Sequence, residues 1–167
     1  GAHHAVAELE RRGLVTGVVT QNIDGLHAKA GTTDPIEVHG SIRTASCLRC
    51  GASYPLEETR RRLAEEADGV PLCDCGAPLK PDVVLFGEFL PEDALERAYA
   101  LAAGADLLLC VGSSLEVHPI AQLPGVTRQA GGQIAIVTAG PTPWDPHAAV
   151  KLDGDVVAEL EAVLAAL

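Results

Sequence analysis

Apolar and polar positions along the chain keep two rhythms. Ala5, Val6 and Leu9 recur at helical spacing within residues 3–12 and stop at Gly13, which predicts a helix closed by glycine. The apolar run from Leu14 to Val19 reads as a buried strand over 14–20 that ends abruptly on Thr20, Gln21, Asn22 and Asp24. A strand giving way to short hydrogen-bonding side chains is the pattern of a parallel strand whose C-terminal end opens onto a ligand crevice. A short helix around Gly25 to Ala30 follows, and then Ile36-Glu37-Val38 delivers His39 and Gly40.

Beyond His39 the pattern changes character. Leu56 to Ala67 is charged and only weakly amphipathic, and its Glu57–Arg62 charge run reads as a solvated face. Pro81 introduces the run Asp82 to Phe86, which ends at Gly87-Glu88. Pro91-Glu92-Asp93 opens a helix over 92–103, with proline and acidic residues in the first turn as the helix dipole favours, and Gly104 ends it. Residues 106–111 are apolar almost throughout and predict a strand buried on both faces, running into Gly112-Ser113-Ser114. Pro119 and Pro124 keep the next helical stretch short. A strand over 133–138, a Gly/Pro/Thr loop over 139–147 and a last helix over 154–166 complete the chain, with Val156, Val157, Leu160, Val163, Leu164 and Leu167 on one face. This alternation predicts an α/β fold with a parallel, doubly wound sheet.

Composition narrows the function. The 167 residues suffice for one domain with a real core and a small insert. Apolar residues make up 47% but aromatics only 3%, so Ala, Val, Leu and Ile must build that core. A formal charge of -11 argues against a phosphate-backbone binder, which needs a basic face, and is compatible with a basic peptide partner. No apolar run approaches the roughly 18 to 20 residues of a membrane span, and no secretory signal pattern is seen. The cytoplasm is the expected compartment. The chain has no Met, and its first residues read as the middle of a helix, so it is expected to be the C-terminal portion of a longer protein.

Cys47, Cys50, Cys73 and Cys75 form two close pairs, each followed at once by glycine (Gly51, Gly76). Such pairs are zinc-knuckle chemistry, and two of them complete a tetrahedron. The second pair has one intervening residue instead of the usual two. Two disulfides or free thiols are the other readings, and a reducing compartment disfavours the disulfides. Four thiolates leave no open coordination position, so the zinc would be structural. Cys110 lies mid-strand and reads as a small buried hydrophobe.

Gly112-Ser113-Ser114, directly after a strand, places small residues and free amides where phosphate or ribose oxygens can approach. Steric demand alone explains many such turns. The loop from Gln21 to Asp24, His39 and the turn at Thr138–Gly140 add weight on the same sheet edge. A serine nucleophile is the rival reading, and the Gly-x-Ser-x-Gly elbow it needs is absent. His39 could likewise be structural, but the Gln21-Asn22-Ile23-Asp24 loop and the following Gly40-Ser41 favour a site.

Together these pieces resemble the sirtuin family of NAD-dependent protein-lysine deacylases. The resemblance rests on Thr20-Gln21-Asn22-Ile23-Asp24-Gly25-Leu26-His27, Val38-His39-Gly40-Ser41, the four cysteines, Pro81-Asp82-Val83-Val84-Leu85-Phe86-Gly87-Glu88 and Val111-Gly112-Ser113-Ser114-Leu115-Glu116-Val117. They occur in the family's order and span nearly the whole chain.

The resemblance implies a Rossmann-like NAD-binding lobe over 1–40 and 81–167, and a small zinc-binding lobe over 41–80. His39 would be the catalytic base, with Asn22 and Asp24 beside it in the catalytic set. The acyl oxygen would attack the nicotinamide-ribose carbon and release nicotinamide. His39 would then help deprotonate a ribose hydroxyl, and the acyl group would leave on ADP-ribose. Gln21 and Asn22 would hold the ribose and Asp24 the nicotinamide amide, with Ile23 between them in the cofactor-binding set. Gly112, Ser113 and Ser114 would take phosphate and ribose, with Thr138, Ala139 and Asp155 near the adenosine end. Val84, Phe86, Gly87, Glu88 and Val117 would line the acyl-lysine tunnel and pair with the peptide as an added strand.

Two departures from the family pattern bear on function. Many members have Asn where this chain has Thr138. The family's Gly-Ala-Gly-x-Ser segment and the Phe-Arg after it do not occur; they would belong before residue 1. The alternative function is therefore a catalytically silent, zinc-stabilised peptide-binding fragment. An ordinary Rossmann dehydrogenase is disfavoured by the missing Gly-x-Gly-x-x-Gly and by the four-cysteine insert.

Overall fold

In the computed structural model, which describes every residue from Gly1 to Leu167, internal contacts divide the chain into two units. The first comprises Gly1–Val18, His27–Ile36 and Glu92–Leu167; the second comprises Val19–Leu26 and Glu37–Pro91.

The first unit is built on a parallel sheet in the order β6-β7-β8, formed by Leu107–Val111, Gln133–Val137 and Val150–Leu152. Earlier in the chain lie β1 (Val19–Thr20), β2 (Ile36–Glu37), β3 (Gly40–Cys47), β4 (Ser53–Pro55) and β5 (Leu79–Val83). Within the parallel sheet only β7 has a strand on both sides, and Ile134, Ile136 and Val137 are accordingly the buried centre of the first unit's core. The strand expected to be buried on both faces, β6, is an edge strand. Of its residues only Cys110 is buried, and Leu107 is half-exposed. An all-apolar sequence marks the sheet but not the position within it. Strand β8 was not legible as a strand in the sequence; it is three residues long and mixed in polarity.

Helix α1 (Ala2–Arg11) buries Ala5, Val6, Ala7 and Leu9, as its spacing predicts. Its C-terminal turn also settles the next segment. The amides of Leu14 and Val15 both donate to the Leu9 carbonyl, so they join no sheet. The strand expected over 14–20 is thereby cut to its last two residues, β1, which pairs with β2. Between these lies α2 (Leu26–Ala30), and after β4 comes α3 (Leu56–Glu65). Helix α4 (Glu92–Ala103) buries Ala94, Ala98 and Ala102, one small residue per turn. That stripe admits close packing of α5 (Leu123–Gln129), whose buried Thr127 hydroxyl donates to the Ala102 carbonyl at 2.7 Å. Pro124 lies in the first turn of α5, where no amide is needed, and so opens this helix instead of ending one. In α6 (Val156–Ala166) Leu160 is wholly buried with Ala5, Val6, Val18 and Val137, while Leu167 is exposed.

The second unit carries an antiparallel sheet in the order β4-β3-β5. Ala45, Cys47, Cys73, Ala77 and Leu79 form its small core. This unit is larger than the 41–80 lobe that the resemblance implies. The register of β3 and β5 starts at Gly40 against Val83, the Ile42 amide donates to Ile23, and Val38 donates to Thr20. These bonds place the 20–24 loop, His39 and residues 81–91 with the cysteine-bearing sheet. No helix of the chain is long and apolar enough to cross a membrane.

Candidate functional site

The four cysteine sulfurs converge. A zinc ion about 2.3 Å from four thiolates sets the sulfurs about 3.8 Å apart. Here Cys47 Sγ lies 3.5 Å from Cys75 Sγ, Cys50 Sγ lies 3.6 Å from Cys73 Sγ, and all four fall within 4.8 Å of one another. Those separations are far beyond a sulfur–sulfur bond, and every cysteine is a free thiol. Each knuckle is closed by its glycine, with Gly51 donating to the Cys47 carbonyl at 2.9 Å and Gly76 to the Cys73 carbonyl at 2.8 Å. Both glycines have the positive φ that such a turn requires.

The electrostatics of the cluster ask for a cation. The Cys50 and Arg49 amides hold the Cys47 thiol below its ordinary range. The Cys75 amide and then the Tyr54 hydroxyl do the same for Cys73. Cys50, in spite of the Ala52 amide, is pushed up to about 12 by its sulfur neighbours. Four thiolates this close cannot coexist without a compensating charge, and an all-sulfur tetrahedron suits zinc. The site is closed and therefore structural.

On the same unit, His39 is positioned from both sides. Val38 is wholly buried and its amide donates to Thr20, while the His39 carbonyl accepts from Val84 at 2.9 Å. Gly40 must be glycine: its φ is +71, and a Cβ there would lie 2.1 Å from the Asp82 carbonyl oxygen. The half-buried His39 ring places Nδ1 3.1 Å from the Gln21 carbonyl oxygen. A carbonyl only accepts, so this contact is satisfied with the proton on Nδ1, leaving the Nε2 lone pair as the proton acceptor. The 20–24 loop is itself held by Asn22 donating to Thr20 Oγ1 at 3.1 Å and by Ile23 accepting from Ile42 at 3.0 Å. Asp24 accepts the Leu26 amide at 2.9 Å, which starts α2.

In the first unit, the turn after β6 is pinned by Gly112 donating to Val137 at 2.9 Å. Ser113 Oγ accepts the amide of Leu115, which holds a left-handed φ of +56. Ser113 is thus an acceptor within its own turn, with no base beside it, and Ser114 is exposed.

Comparison with known proteins fits this geometry. The Sir2 family model matches residues 1–119. The chain belongs to the Sir2 family. An NAD-dependent protein deacetylase of Thermotoga maritima is 45% identical over 157 residues, covering 93% of this chain and 63% of that protein. The chain thus spans less than two-thirds of the length of this relative. A solved Sir2 complex with a p53 peptide and NAD+ superposes with a TM-score of 0.95 at 43% identity, covering 99% of this chain and 68% of the other. A Sir2 complex with the inhibitor EX-527, 2'-O-acetyl-ADP-ribose and deacetylated p53 peptide gives 0.92 at 43% identity, with coverages of 99% and 70%.

Within the Sir2 frame, the remaining residues singled out from sequence fall into distinct situations. Thr138 is buried, its amide donating to Leu152, and Ala139 is exposed beside it. Asp155 is the N-cap of α6, its Oδ1 accepting from Val157 at 3.1 Å and Ala158 at 3.0 Å. Val84, Phe86, Gly87 and Glu88 share one loop of the second unit, where Phe86 and Phe89 stand fully exposed. Glu88 Oε2 accepts the Leu85 amide and the Lys80 ammonium, each at 2.9 Å, and both hold its carboxyl below the usual range. Val117 is an exposed residue of the first unit.

Sequence reasoning missed Lys80, Tyr54 and Arg62. Lys80 stands beside Pro81 with no motif of its own. Arg62 sits in the charge run expected to be a solvated face, yet it bonds Asp74 and the Leu72 carbonyl and is mostly buried. Tyr54 is one of only two tyrosines, a scarcity that was the one available signal.

Proposed function

We propose that the chain serves NAD-dependent removal of acyl groups from protein lysine, with nicotinamide released and the acyl group passed to ADP-ribose. One observation carries this reading: His39 Nδ1 on the Gln21 carbonyl, which orients the imidazole and leaves Nε2 as the ring nitrogen for proton transfer. The names and contents of the similar proteins support it: a deacetylase, and Sir2 structures holding NAD+, peptide and an acetyl-ADP-ribose.

In this reading His39 takes a proton from a ribose hydroxyl. Gln21, Asn22 and Ile23 approach that ribose, and Asp24 the nicotinamide amide. Gly112, Ser113 and Ser114 meet phosphate and ribose oxygens. Thr138, Ala139 and Asp155 stand at the adenosine end, with Asp155 Oδ1 capping α6. Val84, Phe86, Gly87, Glu88 and Val117 receive the acyl-lysine peptide, which adds as a strand. NAD supplies the ribose that accepts the acyl group. The four cysteines hold one zinc ion that keeps the second unit's sheet in shape.

The test is mass-spectrometric. Protein containing these residues is incubated with NAD and an acetyl-lysine peptide, and acetyl-ADP-ribose should appear in step with free nicotinamide. Nicotinamide release that needs no acylated peptide would argue for a different reaction.

A further inference from the structure

The two zinc knuckles do not receive the same hydrogen bonds. In the Cys47–Cys50 turn, the amide of Arg49 donates to Cys47 Sγ at 3.4 Å. The second turn has a single residue between its cysteines, and there the place of that amide is taken by a side chain. In that place lies the hydroxyl of Tyr54, 3.3 Å from Cys73 Sγ.

The direction of this bond follows from its neighbours. The Asp74 amide donates to the Tyr54 oxygen at 3.4 Å, and a metal-bound thiolate can only accept. The phenolic proton therefore goes to sulfur. The ring is held in place by three contacts. Tyr54 pairs with Ala45 across β4 and β3 and packs on the core around Cys47 and Cys73. The Arg62 guanidinium lies 4.4 Å from the ring centroid. The same guanidinium bonds the Leu72 carbonyl at 2.9 Å and Asp74 at 2.8 Å, gripping the residues on either side of Cys73, while Glu58 holds Arg62 at 2.7 Å.

We propose that Tyr54, positioned by Arg62, is the hydrogen-bond donor to the Cys73 thiolate, in the role that the Arg49 amide takes at Cys47, and that this bond governs how firmly the knuckle keeps its metal. Outer partners of this kind orient metal ligands and typically change metal affinity about 10- to 100-fold when removed. The inference rests on the zinc reading and is independent of the deacylation chemistry.

Tyr54→Phe in the full 167-residue chain keeps the ring, its packing and the cation–π contact, and removes one O–H. With Co2+ in place of zinc, a hydrogen bond to sulfur lowers the energy of the sulfur donor orbital. Its loss should move the sulfur-to-cobalt charge-transfer band to lower energy while the visible bands keep their tetrahedral pattern. Transfer of zinc to a chromophoric chelator should speed up about tenfold or more. Arg62→Ala should shift the band in the same direction by freeing the ring. A Tyr54→Phe band superimposable on the wild type, with chelator transfer within about twofold, would overturn the proposal. A wild-type chain that takes up no Co2+ would overturn the metal site and the proposal with it.

Discussion

The Nδ1 of His39 and the carbonyl oxygen of Gln21, eighteen residues apart in sequence, meet at 3.1 Å. Replacing the ring removes a proton acceptor that the backbone has already oriented. His39→Ala should lower formation of deacylated peptide and acyl-ADP-ribose by about 10²- to 10⁴-fold, the range for a lost general base. Zinc content should not change, because no zinc ligand contacts the ring. Deacylation retained within tenfold in that variant would assign the base elsewhere.

Gly40 is where His39 can be displaced without being touched. An added methyl would press on the Asp82 carbonyl, at a φ that side chains rarely adopt. Gly40→Ala should cost about 2 kcal/mol or more, read as a lower urea midpoint at unchanged slope. Its activity loss should exceed that of an equally destabilising change in α4.

Removal of the metal should loosen one unit selectively. Cys47 and Cys73 belong to the small core with Ala45, Ala77 and Leu79. Chelation should therefore raise hydrogen exchange through β3, β4 and β5, while β7 of the first unit keeps its protection. Uniform protection after complete metal removal would contradict a structural role.

Burial pushes the Cys110 thiol up to about 12 from an ordinary 9.0. The unfolded chain then loses this proton near its ordinary pKa while the folded chain keeps it. Stability attributable to this group is full below about pH 9 and drains away as pH rises toward about 12. Urea melts of wild type and Cys110→Ala should converge as pH is raised through that window. A difference between them that stays constant would show that the thiol does not titrate with folding.

Glycine-rich loops cradle dinucleotide phosphates, and these 167 residues contain no Gly-x-Gly-x-x-Gly and no Gly-Ala-Gly-x-Ser. Calorimetric titration of the chain with NAD should show weak or undetectable binding. Affinity in the low-micromolar range would mean that the groups from Gln21 to Asp24 and from Gly112 to Ser114 suffice.

Short-range order was written into the chain. Helices α1 and α4 appear at their sequence-predicted spans within a residue or so, because a repeat of small apolar residues and a proline–acid start are local signals. The four cysteines and the loop before His39 were equally plain, since chemistry restricts which residues can do those jobs. What the tertiary structure decided were the relationships that no local signal contains. Whether an apolar strand is central or at an edge depends on its neighbours, so β6 is half-exposed and β7 is the core. Whether a carboxylate is available depends on which amides come near, so Asp155 caps α6 and Glu88 ties its own loop. The Tyr54 hydroxyl and the Arg62 guanidinium reach the zinc knuckle only because a sheet register and a helix bring together residues that no spacing rule connects.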